Sequence, residues 1–100
     1  MKVITSHIDQ IRKLCASNKV KSLFAFGSVV RNDFSIESDI DLIVEIDEKE
    51  PFAYSENYFN LKFQLEKLLN RKIDLLEQQA LNSPILKDRI DQSKILIYGS

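Results

Sequence analysis

Between Asp39 and Ile46 the chain alternates with period two, and this stretch limits the possible folds more than any other. Ile40, Leu42, Val44 and Ile46 fall on one side of an extended strand, while Asp39 and Asp41 fall together on the other. The apolar side must enter a core. A strand with a wet outer face needs only polar residues there, and has no use for two parallel carboxylates at its start. Two such groups repel unless a cation lies between them. Hard oxygen donors at this spacing suit Mg²⁺, which takes one or two carboxylates and completes its shell with water and phosphate.

Charge along the chain isolates the same region. The 100 residues carry 14 bases against 15 acids. The near-balance hides six bases and one acid in residues 1–31, then eight acids and one base in residues 32–50. Asp47 to Glu50 reads as a solvated loop, whereas Asp39 and Asp41 sit inside the strand pattern. The overall balance excludes a uniformly basic nucleic-acid binder and a disordered tail. A single cysteine, Cys15, excludes an internal disulfide and points to a reducing, cytoplasmic compartment. No apolar run approaches the ~18 residues of a membrane span, and Met1–Gln10 lacks the apolar core of a signal peptide.

With two glycines and two prolines the elements must be joined tightly. Residues 3–17 place Ile4, Ile8, Ile11, Leu14 and Cys15 on one helical stripe. Val20 to Phe26 is a strand running into Gly27, with Phe24 and Phe26 expected in the core. Val29 to Asn32 forms a short helix, and Ile40 to Ile46 the second strand. A helix over Glu56–Asn70, a strand over Lys72–Glu77, a helix over Ser83–Gln92 and a strand over Lys94–Tyr98 complete the order. Ser83 is the expected N-cap of the last helix, with Pro84 in its first position. The pattern predicts an α/β sandwich with one small sheet. His7, the lone histidine, cannot build a zinc site.

Three further features bear on chemistry. Gly27-Ser28 follows an apolar strand, where glycine lets backbone approach a phosphate and free N–H groups favour an anion. Asp74 lies in Lys72-Ile73-Asp74-Leu75-Leu76, opposite in facing to Ile73 and Leu75. If that strand lies beside Ile40–Ile46, three aspartates meet, as in two-metal phosphoryl and nucleotidyl transfer. Tyr54, Tyr58 and Phe59 either line a base pocket or partner surface, or pack into the core.

Gly27-Ser28, ten intervening residues, then Asp39-Ile40-Asp41 resembles the signature of the DNA polymerase β-like nucleotidyltransferases. Arg31, Asp33 and Ser38-Asp39-Ile40-Asp41-Leu42 resemble its minimal nucleotidyltransferase (MNT) branch. The resemblance implies a single-domain fold over residues 1–100, with a small mixed β-sheet flanked by helices. It implies an ATP-dependent adenylyltransferase, the antitoxin of a pair, that AMPylates a tyrosine of a HEPN-domain ribonuclease toxin. Gly27 and Ser28 would hold the triphosphate; Asp39, Asp41 and Asp74 would be catalytic and bind Mg²⁺, with two ions expected. Arg31 is either a phosphate contact or a surface arginine paired with Asp33. Two rivals stand beside this: neutralisation of the partner by occlusion alone, and transfer to a small molecule with a separate acceptor-binding subunit.

Overall fold

The computed structural model describes residues 1–30 and 39–99. Among the described residues are four helices, α1 (Lys2–Thr5), α2 (Ile8–Ser17), α3 (Pro51–Leu69) and α4 (Pro84–Ser93), and four strands. The strands are β1 (Val20–Phe26), β2 (Ile40–Ile46), β3 (Ile73–Glu77) and β4 (Ile95–Gly99), in the chain order α1-α2-β1-β2-α3-β3-α4-β4. They form one mixed sheet in the order β3-β2-β1-β4, in which β1 runs antiparallel to β2 and β4, and β2 parallel to β3.

The alternation read from the sequence sets which side of the sheet is dry. Leu23 and Ala25 of β1, Ile40, Leu42 and Val44 of β2, and Ile73 and Leu75 of β3 are buried in one cluster. Ile11 and Cys15 of α2 and Leu61, Leu65 and Leu69 of α3 close that cluster. Phe24 and Phe26 are half-buried instead of entering it. They alternate with Leu23 and Ala25 and therefore lie on the opposite face. There the Lys94 ammonium stands 4.2 Å from the centre of the Phe24 ring. Ile43 and Ile90 are buried apart from the main cluster.

Two boundaries differ from expectation. The helix expected over residues 3–17 breaks at Ser6–His7. Ser6 Oγ donates to the Lys2 carbonyl at 2.6 Å, and His7 Nδ1 lies 3.1 Å from the Val3 carbonyl, so side chains compete with the backbone ladder. The long helix α3 starts at Pro51, earlier than expected, because the Glu50 carboxylate caps it, accepting from Phe52 N and Ala53 N. Ser83 caps α4 as expected, its hydroxyl accepting from Leu86 N, with Pro84 in the first turn.

Parallel pairing leaves the outer edge of β3 without a strand partner, and α3 covers it with side chains. Glu66 Oε2 accepts the Ile73 N–H at 3.1 Å, and Tyr58 Oη donates to the Leu75 carbonyl at 2.5 Å. Tyr54 Oη donates to Glu77 at 2.6 Å while accepting from Gln79 at 2.9 Å. Two edge groups, the Ile73 N–H and the Leu75 carbonyl, are thereby satisfied within the chain and not left to pair with a foreign strand.

Candidate active site

Two of the three expected aspartates, Asp41 and Asp74, are neighbours at one end of the sheet, and no cluster of three forms among the described residues. Phe26, the last residue of β1, is paired with Asp41, and Asp41 is in turn paired with Asp74 across the parallel ladder. Asp41 and Asp74 are thus direct neighbours on adjacent strands, about 4.8 Å apart in the backbone. Both project away from the buried Ile40, Leu42, Ile73 and Leu75. Asp39 precedes β2, outside its ladder, and is exposed. The Ile40 N–H donates to the Lys72 carbonyl at 3.0 Å and fixes this end of the register. Like charges opposite each other on adjacent strands disfavour pairing unless other groups compensate them.

Gly27 closes the site from the β1 side. Its φ is +72°, in the left-handed region. A Cβ at this position would lie 2.6 Å from Asp41 Oδ2, well inside contact distance. The backbone therefore approaches the carboxylate as closely as only glycine allows. Gly27–Val29, including Ser28, then form a single 3₁₀ turn, with the Val30 N–H donating to the Gly27 carbonyl at 3.1 Å. The turn is anchored from below: Val29 is fully buried, and the Met1 ammonium donates to its carbonyl at 2.7 Å. The short helix expected over Val29–Asn32 is replaced by this earlier turn as far as residue 30. Arg31 and Asp33 lie outside the described residues.

The donor set consists of hard carboxylate oxygens, which fits Mg²⁺ better than a soft metal. Among the described residues no three carboxylate, imidazole or thiol side chains are gathered into a closed ligand cluster. Asp41 and Asp74 are adjacent in the ladder, with the bare Gly27 backbone against the Asp41 carboxylate. A groove of about 510 Å³ lies elsewhere, between α2 and α3, lined by Leu14, Leu68, Lys13 and Lys67. It is on the helix-covered side of the sheet, away from the aspartates.

The neighbouring ionisable groups are not reagents. Burial pushes the Cys15 thiol up to about 12 and leaves it inert. Burial, and then the Glu77 carboxylate, push Tyr54 up to about 12. Tyr58 is raised by burial first and then by Glu77 and Asp74. Both phenols stay protonated and act as donors to the β3 edge. The sequence did not expose this role, because which strand lies at an edge is a property of the assembled sheet.

A mixed four-stranded sheet with α2 and α3 packed on one face, a glycine turn ending β1 and aspartates at the adjacent ends of β2 and β3 fit the minimal nucleotidyltransferase class. Residues 9–100 match the family described as Polymerase beta, Nucleotidyltransferase, and the chain belongs to that family. It is similar to two Methanocaldococcus jannaschii proteins that bear the name protein adenylyltransferase. One is 40% identical over 79 residues, covering 79% of this chain and 78% of that protein. The other is 36% identical over 101 residues, covering 97% of this chain and all of that protein. The fold superposes on a solved minimal nucleotidyltransferase with a TM-score of 0.76 at 28% identity, covering 95% of both chains. It also shares its fold with a chain from the complex of a tri-AMPylated Shewanella oneidensis HEPN toxin with its MNT antitoxin. That match has a TM-score of 0.64 at 22% identity and covers 96% of this chain and 72% of the other.

Proposed function

We propose that the chain is one catalytic domain that transfers AMP from ATP to a hydroxyl of a HEPN-type ribonuclease and so silences it as an antitoxin. The observation that carries this reading is the juxtaposition of Gly27 with Asp41, and of Asp41 with Asp74, at one end of the sheet. The turn Gly27–Val29 brings backbone N–H groups to a triphosphate, and a side chain at position 27 would block that approach. Ser28 and Arg31 are assigned to the triphosphate on the family resemblance alone.

The acceptor oxygen attacks the α-phosphorus as the bond to the bridging oxygen breaks, and pyrophosphate leaves. The acceptor hydroxyl gives its proton to a carboxylate at the site, and Asp74, on the edge strand, is the residue assigned to receive it. Asp39, Asp41 and Asp74 would hold Mg²⁺, which supplies charge neutralisation on the triphosphate and lowers the pKa of the acceptor hydroxyl. The protein's own share is positioning: a rigid sheet sets Asp41 and Asp74 in register, and the glycine turn fixes the nucleotide against them. The domain has little surface with which to enclose an acceptor, which favours an acceptor carried by a protein.

The test is neutralisation of the partner's RNA cleavage, with and without ATP, by wild type and by Asp39→Asn/Asp41→Asn. Neutralisation that needs ATP and is lost in the double variant is expected. Full neutralisation by the double variant without ATP would establish occlusion instead.

A further inference from the structure

The long helix α3 buries Leu61, Leu65 and Leu69 against the sheet, yet its far side is not polar. Phe52 is 85% exposed, Phe59 50% and Phe63 60%. At about 100° per residue these three phenylalanines fall within about 40° of one another on the helix, opposite Leu61. Phe59 and Phe63 stack with ring centres 6.0 Å apart, and Tyr58 meets Phe59 edge-on at 5.1 Å. A line of exposed phenylalanine on a small domain marks a contact surface.

We propose that this stripe is the interface of a homodimer, two copies packing α3 against α3 in antiparallel register about a two-fold axis near Leu61 and Lys62. The charges flanking the stripe carry the choice of occupant. Glu56 and Lys67 are exposed on the same flank of the helix. An isologous antiparallel pair places each flank against the same flank of the second copy. A register that sets Glu56 against the second copy's Lys67 also sets Phe59 beside the second copy's Phe63. Both contacts are made twice by symmetry. One register therefore satisfies the aromatic and the charged contacts together.

The position of the stripe supports the same occupant. It faces away from the sheet, on the helix-covered side, whereas Asp41 and Asp74 project from the opposite sheet face. A second copy docked on α3 leaves the carboxylates open. The exposed aromatic surface of two copies is on the order of 800 Å², below the standard range for stable interfaces and in the range of weak, transient ones. A weak, concentration-dependent dimer is expected.

Sedimentation velocity on the intact chain, from low micromolar to a few hundred micromolar, tests this. Wild type should pass from monomer to dimer, and Phe63→Glu should stay monomeric with an unchanged far-ultraviolet circular dichroism spectrum. Glu56→Lys should weaken dimerisation about three- to ten-fold, and Glu56→Lys/Lys67→Glu should recover it. A monomer at every concentration would overturn the proposal, as would a dimer that survives Phe63→Glu. A double variant that fails to recover the affinity would overturn the antiparallel register. Wild type that stays monomeric while Phe63→Glu loses binding to the ribonuclease partner would give the stripe to that partner instead.

Discussion

At Gly27 two demands coincide, a left-handed backbone and a carboxylate where a Cβ would be. Gly27→Ala meets both at once. It should lower stability by about 1–3 kcal/mol, read from denaturant unfolding, and should impair nucleotide binding beyond that loss of stability. A variant with wild-type nucleotide affinity would remove the turn from the site. The residue-scale outcome also shows what the sequence could disclose. The shared facing of Asp41 and Asp74 was legible because period two assigns a side to each residue of a strand, whereas Asp39 lies ahead of the strand. The closeness of Gly27 to Asp41 was not, since it depends on how β1 ends against β2. Phe24 and Phe26 were misassigned to the core because their hydrophobicity was weighed above their alternation with Leu23 and Ala25.

The elements were mostly legible, and the exceptions have local causes. All four strands fall where branched residues and alternation place them. The start of α3 was hidden inside a run of acids, where Glu50 acts as a cap rather than as loop charge. Glu50→Ala should cost about 1 kcal/mol of stability, measurable by thermal or denaturant unfolding. The covering of the β3 edge by α3 could not be read, because strand order is set only when the sheet assembles. Tyr58→Phe removes the donor to the Leu75 carbonyl and should destabilise by about 1 kcal/mol. Hydrogen exchange should show faster exchange concentrated in β3 and α3, and a loss spread evenly over the sheet would contradict this edge role.

For the whole molecule, a radius of gyration of 12.9 Å matches the roughly 13 Å expected of a 100-residue domain. One sheet and one main cluster fold together, and the alkaline limit of stability should report how α3 closes on β3. Tyr54 is raised from its ordinary value near 10 to about 12 by burial and by Glu77. Below pH 10 the phenol is protonated in both folded and unfolded chains, and its contribution is present in full. Above pH 10 the unfolded chain loses the proton first, so stability falls as pH rises from about 10 to 12. Tyr54→Phe should flatten that decline, measured by unfolding at stepped pH.

The carboxylate pair at the end of the sheet is the centre of the functional reading, and one rate tests it most directly. The quantity is the initial rate at which the ribonuclease partner gains adenylate from ATP and Mg²⁺, followed by intact mass, for wild type and for Asp41→Asn. We predict a loss of at least about 100-fold with the fold preserved. A rate within a few-fold of wild type would contradict the assignment of this site to the transfer.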